Sequence, residues 1–381
     1  MRAVKYYGPG EMRVEEVPEP SANDTQIKIK IAWCGICGTD VHCYMHQIPF
    51  TPSTVEPNKV TGETLPIIFG HEMSGTISEL GPLVDKTRFS VGQKVVVEPT
   101  IGCMKPTCAA CQAGTLNICP MTGSIGLCGF GGGLAEYITV QQHCVHVLPP
   151  NVPLDVGACI EPLAVAWYAV KRSEFTPGQT VLICGGGPIG LFILKCIKSI
   201  DPTSQVFLTE PSQIRRETAS KHGATILNDY SAPLSTTAPT FSSPSSDTQT
   251  SLSYLSSQIL SYTNKIGVDL AFDAAGVSSS INLALQSLKT RGKLVAVATW
   301  GKMAEVDLNL VLKKELWIGG IYAYTGVHPE LIQAVADGRF KGLDELITKR
   351  IKLEDVVEKG IKVLSVDKSE SKYQCSKCNN L

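Results

Sequence analysis

The stretch QTVLICGGGPIGLFILKCIK, residues 179–198, limits what this chain can fold into more than any other segment. The apolar run VLIC reads as a buried strand, a glycine turn follows, and LFILKCIKSI continues as a helical pattern. The turn is Gly185-Gly186-Gly187-Pro188-Ile189-Gly190, a G-x-G-x-x-G order. Its first glycine permits a tight turn, its second lets backbone approach a pyrophosphate, and its third lets the helix pack close to the strand. The helix N-terminus then offers unpaired N–H groups to phosphate. Glu210 ends a second strand-like run, QVFLTE, at the distance where an acid binds both adenosine ribose hydroxyls and repels a 2′-phosphate. The glycine motif alone is a weak signal. With strand, helix and acid in register it predicts a doubly wound α/β domain that binds NAD. Arg215 and Arg216 follow closely and would soften the preference against NADP, although a solvated helix face is the plainer reading of that pair. The runs VDLAFDAAG (268–276), KLVAVAT (293–299) and LWIGGIYAY (316–324) fit further parallel strands of the same sheet. Before Gly178 the strands are short and broken by Gly and Pro, as in an irregular, mostly β domain.

A second constraint is TIGCMKPTCAACQAGTLNICP, residues 100–120, which holds Cys103, Cys108, Cys111 and Cys119 in the spacing C-x4-C-x2-C-x7-C. The chain has 14 Cys in 381 residues, and its opening, MRAVKYYGPG, shows no apolar signal core. The longest apolar run is interrupted by glycines and a proline and stops at Lys195, which argues against a membrane span. A cytoplasmic setting with reduced thiols is therefore expected, and in it such a cluster is a metal site rather than a disulfide framework. Four thiolates close the shell of a tetrahedral zinc and leave no place for substrate, so the expected role is structural. The competing readings are four ordinary buried thiols, or a redox pair at Cys108 and Cys111, which lacks a thioredoxin-like βαβ setting. Lys plus Arg total 34 against 35 Asp plus Glu, and only Lys105 is basic between Val95 and Met121. That balance speaks against a nucleic-acid partner.

Three distant segments could build a second, open metal site. WCGICGTDVH (33–42) carries Cys37, Thr39, Asp40 and His42; FGHEMSGTISELG (69–81) carries His71 and Glu72; ACIEPLAVAW (158–167) carries Glu161. One thiolate, one imidazole and one carboxylate leave a fourth position free, as catalytic zinc requires. Asp40 is a suitable partner for the imidazole of His71. Taken singly, Glu161 reads equally as a helix-start charge and His42 as a satisfied polar residue.

Together these pieces resemble the zinc-containing medium-chain alcohol dehydrogenases. The resemblance runs from MRAVKYYGPGEMRVEEVP to about Leu364 and rests on GHE-x-x-G at 70–75, CGICGTDVH at 34–42, the four-cysteine lobe and GGGPIG at 185–190. IEPLAVAWYAV, EPSQIRR and VEPTIGC are similar to the butanediol and polyol (sorbitol) dehydrogenase branch. GGGLAEY at 131–137 and RIKLEDVVEKGIK at 350–362 are closest to the butanediol enzymes. The resemblance implies a GroES-like catalytic domain over 1–162 with a structural zinc lobe at about 100–120. It implies a Rossmann NAD-binding domain over 163–322 and a return to the catalytic domain over 323–381. It also implies that Cys37, His71 and Glu161 hold catalytic zinc, with Glu72 beside it or exchanging as a ligand. Thr39 would take the proton from the alcohol and His42 would end the proton relay. Gly185, Gly187, Pro188, Ile189, Gly190, Glu210 and Arg215 would contact NAD. The implied reaction passes a hydride between a secondary alcohol or vicinal diol, of the 2,3-butanediol/acetoin type, and NAD. The alternatives are a sorbitol, polyol or L-threonine dehydrogenase and, in a different class, a catalytically silent NAD-sensing protein. Partners would be a small alcohol or ketone and further copies of the chain, as a homodimer or homotetramer joined through an edge strand such as LWIGGIYAY.

Three features depart from this pattern. The lobe opens with C-x4-C where relatives have C-x2-C. Residues 231–256 are Ser/Thr-rich, and no Lys or Arg occurs between His222 and Lys265, so a flexible surface insertion is expected. The ending SVDKSESKYQCSKCNNL, with Cys375 and Cys378, reads as a frayed polar tail in place of an apolar last strand.

Overall fold

The computed structural model describes residues 1–227, 246–366 and 373–377. They fall into two units. One holds residues 1–165 with 323–366 and the strand at 373–377, and the other holds 166–322.

The second unit is built on a six-stranded parallel sheet. Across the sheet the strands run Thr225–Ile226, Val206–Thr209, Val181–Cys184, Val268–Asp273, Leu288–Ala296 and Trp317–Gly320. In chain order this is 3-2-1-4-5-6, the doubly wound dinucleotide-binding order. Its two central strands, VLIC and VDLAFD, read as near-continuous apolar runs because helices cover both faces. The apolar run at 316–324 is not one strand. Pairing stops at Gly320, and Ala323 takes a left-handed φ of 46°, so Tyr324 leaves the sheet and belongs to the other unit.

The expected insertion also needs correction. Residues 246–256 are not a flexible surface loop but the first part of a helix, Ser246–Tyr262. Leu255 and Ile259, one helical turn apart, are buried in the core beside Phe207 and Leu227, and Tyr262 packs on Phe207 with ring centroids 5.5 Å apart. The remainder of that Ser/Thr-rich stretch lies outside the described residues.

The first unit is β-rich. Gln26–Ile36 is its spine, pairing antiparallel with Glu72–Leu80, Tyr137–Gln141 and Tyr373–Lys377. Lys94–Val97 and Val145–Val147 extend the sheet beyond Glu72–Leu80. Arg2–Gly8, Glu11–Glu16 and Ile67–Ile68 form a separate three-stranded sheet. Strand Tyr373–Lys377 corrects the expected frayed tail. It lies between Gln26–Ile36 and Ile347–Lys352 and pairs with both, so two neighbouring backbones order a segment whose composition would not. Cys378 lies outside the described residues. No described helix is long and apolar enough to cross a membrane.

Candidate active site

The metal-type cluster forms where two paired strands end side by side. Gly35 pairs with Glu72, so the chain leaves one strand towards Cys37 while the other enters from His71. Cys37 caps the helix Gly38–Met45, where the N-terminal end favours a thiolate. The ligand atoms of Cys37, His71 and Glu72 lie within 4.8 Å of one another. Asp40 is fully buried. Its Oδ2 accepts the Cys37 backbone N–H at 2.8 Å, and its Oδ1 lies 3.2 Å from His71 Nδ1. Burial opposes charge on His71, but Asp40 and Cys37 outweigh it and hold its pKa well above the usual value. Burial, with Glu72 adding repulsion, pushes the Cys37 thiol up to about 11. Two carboxylates, Asp40 and Glu72, crowd one imidazole and one thiol in a buried pocket. That crowding, and the thiolate–imidazole–carboxylate donor set, fit a zinc dication.

Glu161 is not in this cluster. It sits in the first turn of the helix Ile160–Ser173, where its Oε1 accepts the Tyr324 hydroxyl at 2.6 Å. Burial raises the pKa of this carboxyl, opposed first by His71. Glu72 is therefore the carboxylate gathered with Cys37 and His71, while Glu161 is held by Tyr324. Thr39 and His42 lie three residues apart on the helix that follows Cys37. Thr39 is half-buried and His42 is exposed.

The four-cysteine lobe closes on itself. Cys103 Sγ lies 3.8 Å from Cys111 Sγ, and Cys108 Sγ lies 3.8 Å from Cys119 Sγ. All four sulfurs fall within 4.8 Å of one another. Zn–S bonds of about 2.3 Å set the edge of a tetrahedron at about 3.8 Å, so the sulfurs already fit the ion. Cys119 is buried, which disfavours its thiolate. The N–H groups of Cys103 and Met121 nevertheless point at its sulfur and draw its pKa down to about 7.

In the parallel-sheet unit, Gly185 turns out of the strand Val181–Cys184 with φ 104°. A Cβ on Gly190 would overlap the Gly185 carbonyl, so the helix Pro188–Ile200 can start only on glycine there. At Gly187 only the Arg215 guanidinium comes within 4 Å of where a Cβ would sit, which leaves backbone open to a pyrophosphate. Glu210 is buried; its Oε2 accepts Gly186 N–H at 2.8 Å and its Oε1 accepts Ser212 N–H at 2.9 Å. Arg215 Nη1 lies 3.7 Å from Glu210 Oε2. This acid, fixed beside the glycine turn, fits a dinucleotide with free ribose hydroxyls. Sequence reasoning missed Tyr324, a buried tyrosine inside an apolar run that gives no sign of the carboxylate it will meet.

Comparison with known proteins gives the family of both units. Residues 23–150 match the alcohol dehydrogenase GroES-like domain, and residues 188–337 match the zinc-binding dehydrogenase family. The chain is 35% identical to an (R,R)-butanediol dehydrogenase of Neisseria gonorrhoeae over 96% of each chain. It is 33% identical to one of Bacillus subtilis over 98% of each. The crystal structure of 2R,3R-butanediol dehydrogenase from Bacillus subtilis superimposes with a TM-score of 0.84 at 32% identity, over 99% of both chains.

Proposed function

The chain belongs to the zinc-containing alcohol dehydrogenase family, and from that premise we propose that it passes a hydride between a vicinal diol, of the 2,3-butanediol/acetoin kind, and NAD. It is a zinc-dependent oxidoreductase acting on CH–OH groups. The observation that carries the reading is the open Cys37–His71–carboxylate set, built apart from a closed four-sulfur lobe.

In this reading Cys37 and His71 hold the catalytic zinc with Glu72 or Glu161, and Asp40 orients the His71 ring from behind. Bound there, zinc acts as a Lewis acid that lowers the proton affinity of the alcohol oxygen and polarises the ketone in reverse. Thr39 accepts the alcohol proton at its hydroxyl and passes one on in the same motion. His42, on the same helix face and in water, releases the proton to solvent. Gly185, Gly187, Pro188, Ile189 and Gly190 hold the pyrophosphate, and Glu210 holds the adenosine ribose. Names of relatives support the diol, and sorbitol or threonine remain the competing substrates because they need the same machinery. We place the protein in the cytoplasm, where the thiols of the four-cysteine lobe stay reduced and able to hold metal. The unit with the parallel sheet ends at an unpaired edge, Trp317–Gly320, and we assign the homodimer contact to it.

The test is NADH formation with the butanediol stereoisomers, sorbitol, xylitol and threonine, run with NAD⁺ and NADP⁺. Turnover on a butanediol that a zinc chelator abolishes is expected, with Cys37→Ser lowering kcat about 10³-fold or more while NAD binding persists. Preferred turnover of sorbitol or threonine would replace the diol assignment, and a near-normal Cys37→Ser rate would overturn the metal assignment.

A further inference from the structure

A third group of ligand-type side chains in the β-rich unit belongs to neither metal site described so far. Val97 pairs with Val145, and the Glu98 N–H donates to the Cys144 carbonyl at 2.7 Å, so Glu98 and His146 emerge side by side from paired strands. His328, the first residue of the helix His328–Ala336, reaches the same point from far along the chain. Glu98 Oε2 lies 2.8 Å from His146 Nε2 and 3.4 Å from His328 Nδ1. One ligand atom from each of the three falls within 4.8 Å of the others.

His328 is the anomaly. Its residue is fully buried, yet neither ring nitrogen has a hydrogen-bond partner among the described residues. Buried imidazoles ordinarily satisfy their nitrogens, because the lost hydration is otherwise uncompensated. An apolar side chain would fill this space without that cost.

We propose that Glu98, His146 and His328 form a third cation site, which takes a first-row transition dication of the zinc type. Two imidazoles and one carboxylate are a borderline donor set that suits zinc, whereas calcium and magnesium favour all-oxygen shells. Tetrahedral zinc bound at about 2.0–2.1 Å keeps its donors about 3.3 Å apart, close to the 3.4 Å between Glu98 and His328, while the 2.8 Å hydrogen bond between Glu98 and His146 opens by about 0.5 Å on loading.

Loading requires one movement. The His146 and His328 rings stack at 14° with centroids 4.8 Å apart, and ring lone pairs lie in the ring planes. One ring must therefore turn about χ2, a soft torsion, for both nitrogens to meet one ion. His146 is the ring with room to turn, since its side chain is 13% exposed and that of His328 is 0%. His146 and Glu98, whose side chains are 13% and 21% exposed, are the side from which an ion would enter. Tyr324, which donates to Glu161, packs edge-on against His328 at 5.0 Å. The ion would thus fasten the start of the helix His328–Ala336 one side chain away from the catalytic centre.

The experiment is equilibrium dialysis of the zinc-loaded enzyme against micromolar Zn²⁺, with metal counted per chain. The parent is expected to take up a third equivalent beyond the two tightly held ones. H146Q and H328Q each lose that third equivalent and keep the other two, and H146Q, changed at the more open position, serves if H328Q folds poorly. Cobalt added as the third equivalent should show ligand-field bands without a thiolate charge-transfer band, because no sulfur takes part. C37S should lose one of the first two equivalents and keep the third, so failure of the catalytic reading is distinguishable from failure of this one. Saturation of the parent at two equivalents, retention of the third in H146Q, or a thiolate band with the third equivalent would each overturn the proposal.

Discussion

At the scale of single residues, the ribose contact we propose for Glu210 would link cofactor choice to backbone architecture. Its carboxylate already accepts two backbone N–H groups and faces Arg215, so its charge is held in place before any ribose arrives. Glu210→Gln keeps the shape and removes the charge. The KM for NAD⁺ is expected to rise about 10- to 100-fold, the loss of one or two charge-assisted hydrogen bonds, with kcat little changed. NADP⁺ should gain relative to NAD⁺, because Arg215 is then available to a 2′-phosphate. An unchanged NAD⁺/NADP⁺ ratio in steady-state kinetics would show that another residue reads the ribose. That Glu210 meets the glycine turn and Cys37 meets His71 was legible in the sequence, because each belongs to a short motif defined by local spacing. Tyr324 and His328 were not, because their partners, Glu161 and Glu98, lie far away along the chain. A local pattern carries no information about such a meeting. The choice between Glu72 and Glu161 was open for a related reason: one follows His71 directly, and the other depends on how a distant helix is set.

At the scale of elements, the lobe shows how an unusual spacing is absorbed. The residues between Cys103 and Cys108 bulge, with Met104 in a left-handed conformation at φ 51° and exposed, while both sulfur pairs keep their 3.8 Å separation. The lobe has little regular structure of its own, a four-residue helix and a single 3₁₀ turn, so the metal must supply its order. Cys111→Ser should therefore lower Tm by about 5–10 °C, since a lost metal ligand costs a few kcal/mol and each is worth about 2–4 °C in a domain of this size. The same variant should keep catalytic zinc and most of its kcat at low temperature. Loss of turnover without loss of Tm would mean that the lobe serves the reaction directly. The parallel strands were readable because fully buried strands are continuous apolar runs, and the glycine turn set their order. The helix Ser246–Tyr262 and the strand Tyr373–Lys377 were masked by polar composition. In the first, two apolar residues a turn apart suffice to anchor it, and in the second, pairing with backbones on both sides does.

At the scale of the whole molecule, the homodimer contact we propose rests on the edge of the parallel sheet. Among the described residues, strand Trp317–Gly320 pairs with Leu288–Ala296 on one side only, and its other side has no strand partner. Unprotected edges of this kind invite pairing with another chain. The surroundings are apolar: Trp317 is 58% exposed, Tyr322 50% and Leu312 74%. Large exposed apolar side chains clustered at a sheet edge mark a contact surface rather than scattered surface hydrophobics. Two copies related by a two-fold axis would pair these strands antiparallel and cover the same residues on both, a self-complementary contact that closes. Replacing Trp317 and Ile318 together by lysine places two charges at the centre of that contact and leaves the pairing with Leu288–Ala296 intact. The double variant should elute as a monomer at concentrations where the parent sediments as a dimer, while NAD binding, for which we propose the 185–190 turn and Glu210 on other strands of the sheet, persists. A parent that is already a monomer would remove the assignment outright. A variant that stays dimeric would move the contact to another surface, since a charged pair buried without partners at a shared strand cannot be tolerated.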